Sequence, residues 1–318
     1  MPLTMPTIVS RGVDRVRCNV LAILLLRRTL LVVGLVIALP LHAQRVAIDS
    51  VAVNDSTVVH AVYLTDGARV VGRIMQVTAD SVRVVSASAT SMIARSAIRE
   101  VRQYSASELR NGALWSENPH ASRLIFAPTA IPLRKGEAYF SDFWVFLVSA
   151  GVGVTDRITI GAGMSLVPGL SLDKNLLFLL PKVAVINQPR LKVAVGGLLA
   201  RVGGFDSGSE SLGILYGVAT TGSRESNLTL GAGWGYVGGT LSNKPVLTLG
   251  GQHRVAKRLS LISENWFFPF DNSSSGIISY GFRILGEKIS VDLAFANPID
   301  NGDAWFPGIP LLGFAVKF

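Results

Sequence analysis

Few residues in this chain are equipped for covalent chemistry. His120-Ala121-Ser122 sets an imidazole two positions from a hydroxyl, the pairing a general base and nucleophile would need to open an ester. An Asn118-Pro119 turn precedes it and the surrounding pattern is poor, so a loop histidine is the better reading. His60, His120 and His253 stand in no His/Cys/carboxylate cluster with metal-ligand spacing. No nucleophile elbow, phosphate loop or dinucleotide fingerprint is present, so the sequence predicts no catalytic residue, no metal, no cofactor and no enzyme. What remains is charge. Lys192, Arg254, Arg258, Arg283, Lys288 and Lys317 fall on the less apolar side of alternating segments, and only Glu264 and Asp292 oppose them on that side. A ring of like charge in a narrow, low-dielectric collar focuses potential and draws in counter-ions, here anions. The plain alternative is that solvated charges collect at strand ends, with Arg283 and Asp292 paired across one hairpin.

Those charges need strands to position them. In the last stretch, Leu311 to Phe318, a period of two puts Leu312, Phe314, Val316 and Phe318 on one face and Leu311, Gly313, Ala315 and Lys317 on the other. The same alternation recurs upstream. Ile158, Ile160, Ala162, Met164 and Leu166 oppose Thr159, Gly161, Gly163 and Ser165; Leu228, Leu230, Ala232, Trp234 and Tyr236 oppose Thr229, Gly231, Gly233 and Gly235. Strands are expected over 122–130, 137–154, 157–167, 176–187, 190–202, 211–221, 226–238, 245–255, 258–268, 276–285, 288–296 and 310–318. Glycine and alanine dominate the less apolar face (Gly161, Gly196, Gly217, Ala219, Gly281), leaving space for an open lumen or for something that fills it.

Turn lengths alternate as well. Thr155-Asp156, Gln188-Pro189, Ser223-Arg224-Glu225, Ala256-Lys257 and Gly286-Glu287 are tight, whereas 168–175, 203–210, 269–275 and 297–309 are long. Outer-membrane barrels have short periplasmic turns and longer outer loops. Twelve is even, and counting back from the last strand places every tight turn on the periplasmic side. Phe140, Phe178, Trp234, Tyr236, Trp266, Phe267 and Phe295 then fall at outer strand ends, where an interfacial girdle belongs. Charged residues make up 16% of the 318 and mean hydropathy is +0.43, too apolar for an ordinary soluble domain, and 32 glycines argue against helices.

Upstream, Arg11, Arg15, Arg17, Arg27 and Arg28 precede an apolar core, Leu30 to Leu39, and Ala43 suits a cleavage site, so 1–43 reads as a signal peptide. Its removal takes away five Arg and one Asp and leaves a net charge of +5. Cys18, the only cysteine, falls within it, so the exported part has no disulfide or thiol chemistry. Residues 44–57 read as a linker and 58–104 as a small β module. Residues 105–121 read as a linker with one helical turn, Ser105-x-x-Glu108 supplying a capping box, and 122–318 as the barrel. Trp115 suits either the membrane interface or a contact between module and barrel floor. The expected fold is all-β, an antiparallel transmembrane β-barrel of about twelve strands preceded by a small β-rich periplasmic module.

Two resemblances bear on this. Leu64-x-Asp66-Gly67, Gly72-x-Ile74, Ile93 and Ile98 resemble small SH3-like or Sm-like accessory barrels, implying a periplasmic protein partner; no aromatic platform interleaves the basic residues, so no nucleic acid is expected. The terminal strand, with Phe314, Val316 and Phe318, resembles the assembly signal that outer-membrane proteins present to the barrel-assembly machinery. Together with Phe126–Gly136 and Gly151–Asp156, it makes the whole chain resemble a family of bacterial outer-membrane β-barrel proteins to which no activity is attached. The resemblance implies outer-membrane lipids around the barrel and a place in the bacterial outer membrane. The function expected is a passive pore or small-solute channel with mild anion preference. The other two readings are a lipid-modifying enzyme and a scaffold barrel whose module binds a partner.

Overall fold

The computed structural model describes residues 46–110, 112–171, 174–202, 211–269, 274–299 and 306–318. The expected signal peptide lies outside them. Alternating segments pair into two antiparallel sheets. The first contains β1 (Val58–Leu64), β2 (Arg69–Val77), β3 (Ser81–Val85), β4 (Thr90–Ala94) and β5 (Ile98–Ser105), in the order β4-β3-β2-β1-β5. Its inward residues Val62, Ile74, Val82, Val84, Ile93 and Val101 form one core. Val51 is buried in that core and Val46 and Ile48 pack on it, so the stretch expected as linker is partly core. At the β1–β2 turn Gly67 takes φ +89°, a conformation L side chains rarely adopt, while Asp66 Oδ1 accepts the Ala68 N–H at 2.8 Å. After β5, Ala106–Glu108 makes one 3-10 turn, with Glu108 Oε2 accepting the Ser105 N–H at 3.0 Å, and a short ribbon follows.

The second sheet closes on itself. Its strands are β6 (Ala138–Phe143), β7 (Leu147–Gly153), β8 (Ile158–Ser165), β9 (Leu176–Asn187), β10 (Leu191–Val202), β11 (Ser211–Gly222), β12 (Ser226–Val237), β13 (Val246–Ala256), β14 (Leu259–Pro269), β15 (Ser274–Leu285), β16 (Ile289–Pro298) and β17 (Ile309–Lys317). Each pairs with its neighbours in sequence, and β17 returns to β6 with Gly313 opposite Phe143 and Lys317 opposite Tyr139. Phe318 extends that seam, its N–H reaching the Ala138 carbonyl at 2.8 Å. This is a twelve-stranded up-and-down antiparallel barrel with no open edge.

The number of strands agrees with expectation, but the first two were misplaced. Residues 122–130 form no strand, and 137–154 is a hairpin, β6 and β7, joined at Trp144-Val145-Phe146. Trp144 and Val145 have φ of 57° and 67°, a sharp reversal that a two-fold reading of an apolar run passes over. Because β6 starts at the tight-turn end, Phe140 sits near that end, not in the opposite girdle.

The two faces of the wall differ as the alternation requires. Leu228, Leu230, Leu179 and Ile284 are 53–60% exposed, whereas Thr159, Thr220 and Thr229 are at most 5% exposed. A continuous outward apolar band on a closed barrel belongs in lipid, since monomeric soluble proteins rarely expose patches beyond a few hundred Å². Trp234 and Phe267 are exposed near the long-loop end, as a girdle requires, and Tyr280 packs on Phe295 there. Phe178 and Trp266 do not join them, because both turn inward.

Candidate functional site

The segment between the ribbon and β6 explains the small residues of the wall. Residues 118, 120–122, 124–125, 127, 129–131 and 133 are all buried, and their partners lie on the inner face of the barrel. Three inward side chains hold this internal segment by its backbone. Lys182 Nζ donates to the carbonyls of Ser122 (3.0 Å), Thr129 (3.0 Å) and Ile131 (2.8 Å). Glu264 Oε2 accepts the N–H groups of Phe126 (2.8 Å) and Ala127 (2.9 Å), and its Oε1 accepts Trp266 Nε1–H at 2.7 Å. Arg283 donates to both carboxylate oxygens of Asp292 (2.7 and 2.8 Å), to the carbonyls of His120 (2.8 Å) and Leu124 (2.7 Å) and to Gln252 Oε1 (2.9 Å). Thr220 and Thr159 hydroxyls receive the Ala130 and Leu133 N–H groups at 2.8 and 3.0 Å. An irregular backbone stretch inside a membrane barrel needs partners of this kind, since each unsatisfied amide would cost several kcal/mol.

Small wall residues make room for large neighbours. A Cβ on Gly163 would meet the Phe178 ring at 2.4 Å, one on Gly196 the Tyr216 hydroxyl at 2.5 Å, and one on Gly250 the Leu124 side chain at 2.6 Å. The lumen that the sequence left undecided is therefore filled.

The residues expected to line the lumen separate into three groups. Arg283, Asp292 and Glu264 meet at the internal segment. Arg254 and Lys317 lie closer to the tight-turn end: Arg254 pairs with Glu225 and donates to the Ser116 carbonyl at 2.7 Å, and Lys317 reaches Glu137 at 3.0 Å and Glu117 at 3.2 Å. Lys192 and Lys288 are half-buried beside their turns, and Arg258 is exposed in one. Lys192 Nζ donates to the Gln188 and Pro189 carbonyls at 3.0 and 3.2 Å.

Sequence reasoning missed the acids that answer these cations. Glu117 and Glu137 come from the internal segment and its junction with β6, and Glu225 from a turn; Arg224 reaches Glu137 at 2.5 Å and Arg134 reaches Glu117 at 2.6 Å. The signal was the cluster of Glu and Arg in 117–137, hidden by reading that stretch as linker and strand. Trp115 joins the floor, its ring 5.0 Å from the Arg110 guanidinium and 5.1 Å from that of Arg254. His120 packs edge-on to Tyr139 at 4.6 Å, and neither of its ring nitrogens has a hydrogen-bond partner, so Ser122 and His120 form no nucleophile–base pair here.

The filled section divides the lumen. Towards the long loops lies a chamber of about 160 Å³ walled by Phe126, Phe143, Phe178, Ile214, Val246 and Trp266, with Arg123 on its floor. Towards the tight turns lies a polar basin containing Glu117, Arg134, Lys192, Arg224 and Glu225. The five-stranded module stands at this same end, where Glu287, in the β15–β16 turn, meets Arg102 at 2.7 Å and Arg69 at 3.6 Å.

No family model matches the chain, so none supports the SH3/Sm-like reading of the module, and no curated protein matches it. Among solved structures it is similar to a KdgM porin in complex with disordered oligogalacturonate, with TM-score 0.38 and 7% identity over 57% of this chain and 95% of that one. It is likewise similar to a NanC porin (0.36, 9%, 57% and 97%) and to outer-membrane expressed OmpT of Vibrio cholerae (0.32, 10%, 82% and 95%). At such scores the assignment rests on the chain's own register and on the two faces of its wall. By those it is an outer-membrane β-barrel with an internal segment across its lumen.

Proposed function

We propose that this protein is a gated channel for small solutes, its tight-turn end and module facing the periplasm. One observation carries the reading: chamber and basin lie on either side of a segment that side chains, not covalent geometry, hold in place. Passage requires that segment to shift, and Lys182 and Glu264 are its movable holds. A mild anion preference belongs to the same proposal. With Arg254, Arg283 and Lys317 ion-paired, it rests on Lys192, Arg258 and Lys288 at the periplasmic mouth.

Conductance in a planar bilayer tests both parts. Wild-type protein should open rarely, and Lys182→Met, which releases three carbonyls of the internal segment, should open more often. A barrel that conducts in neither form would defeat the channel reading. In a salt gradient the reversal potential should indicate anion preference that weakens as salt screens the mouth beyond a Debye length of about 8–10 Å, and K192E/K288E should abolish it.

A further inference from the structure

The chamber has a composition that selects a ligand. Its walls are aromatic and aliphatic, with Phe126 leaning on Phe143 (5.5 Å between ring centroids) and on Trp266 (6.3 Å). One guanidinium, that of Arg123, lines its floor, and the Arg123 Nε is buried with no hydrogen-bond partner. The carboxylates near it direct hydrogen bonds to other groups. Asp292 is held by both arms of Arg283, Glu264 by Phe126, Ala127 and Trp266, and Asp142 Oδ1 by the Val145 N–H. The other cation of the floor, Lys182, spends its three protons on the three carbonyls of the internal segment. Arg123 is half-buried and its Nε has no protein partner, so it offers the apolar chamber a charged donor for an anion to meet.

We infer that the chamber is a binding site for a small apolar monocarboxylate, its carboxylate on Arg123 and its apolar body among the aromatic walls. Guanidinium and carboxylate match in charge and planar geometry, and charge-assisted hydrogen bonds of this kind are the strong ones. Size sets the body: an apolar cavity of about 150 Å³ accepts one benzene ring, and this chamber measures about 160 Å³. An aryl carboxylate fits. A sugar acid, rich in hydroxyls, would strand its polar groups against Phe178 and Ile214. The inference deepens the channel reading by naming the class of solute that enters from the long-loop side.

Leu198 supplies a variant that leaves Arg123 alone. On the inner face of β10, in step with buried Ala194 and Ala200, it lines the chamber, so a larger side chain there fills the space. Benzoate, with benzyl alcohol as neutral and benzylamine as cationic counterpart, should be titrated calorimetrically into the full-length folded barrel in detergent. Wild-type protein should bind one benzoate and prefer it to both counterparts. Arg123→Gln should weaken benzoate about ten-fold or more and leave benzyl alcohol unchanged, whereas Leu198→Trp should lose both. Heat-modifiable gel mobility checks that each variant folds. Absence of benzoate binding, equal binding of benzylamine, or benzoate affinity unchanged in both variants would overturn the inference. Conductance separates it from the channel reading: a barrel that conducts but ignores benzoate refutes the site alone, and one that binds benzoate but never conducts refutes the channel alone.

Discussion

Arg283 shows how much one residue can organise. It is fully buried, opposite Asp292 in the β15–β16 register, and spans from the wall to the backbone of His120 and Leu124. Removing one partner of such a pair leaves an uncompensated buried charge, so Arg283→Met should destabilise the barrel by about 3–5 kcal/mol. Urea unfolding from lipid vesicles measures this, and adding Asp292→Leu should recover part of the loss; full stability of the single variant would mean that water already compensates the pair. His60 makes a second prediction, outside the membrane. It is buried in the module, its Nε2 has no partner, and desolvation holds its pKa below the ordinary imidazole value. The unfolded chain therefore binds the extra proton first. The stability tied to neutral His60 is present above about pH 6.5 and is lost progressively as the pH falls towards the depressed folded value. Amide exchange in 58–105 should quicken between pH 7.5 and 5 in wild type and much less in His60→Leu.

At the scale of elements, the wall works because its strands alternate bulk across the register. Gly163 lies opposite Phe178 in the β8–β9 pair, and any side chain there runs into that ring and into the Val148 carbonyl, both 2.4 Å from its Cβ. Gly163→Val should therefore hinder assembly, whereas Gly217→Val, on the outer face of the wall with nothing within 4 Å, should be tolerated. The fraction of heat-modifiable barrel recovered from membranes reads the difference, and equal yields would show that the lumen adapts freely. The internal segment obeys another rule. With Leu124, Ile125, Ile131 and Leu133 buried on no period, it behaves as core, not as wall. Its apolar content imitates a strand, and only the search for partners of its backbone amides exposes the difference.

At the scale of the molecule, closure is what makes the chain fit for a membrane. Every strand of the barrel finds two neighbours, and the seam between first and last depends on the final residues, where Phe318 exchanges backbone bonds with Ala138. Deleting Phe318 removes the end of that seam together with the terminal aromatic. The expected outcome is poor insertion and a degraded product, seen as loss of the heat-modifiable band in outer-membrane fractions. Normal insertion of the shortened chain would show that Phe314 and Val316 suffice. The barrel also joins two unlike spaces, apolar on one side of the internal segment and charged on the other, and no single strand carries that asymmetry.

Much of this architecture was legible in the amino-acid sequence, because a period of two is a local property. The alternation in β8, β12 and β16 identified which residues face lipid, and the contrast of tight turns with long links set the parity of the strands. The first hairpin was not legible: in Phe143 to Val148 the reversal at Trp144-Val145 carries no turn residue, so the run reads as one strand. The filling of the lumen could not be read at all. Small inward residues are equally compatible with water, with a solute or with the protein's own chain, and the choice depends on contacts more than fifty residues apart, Lys182 to Ser122 and Glu264 to Phe126 among them. The charge balance was hidden for the same reason, since Lys317 acquires Glu117 and Glu137 only when the barrel closes around them. Local periodicity decided the wall, and long-range pairing of buried polar groups decided what stands inside it.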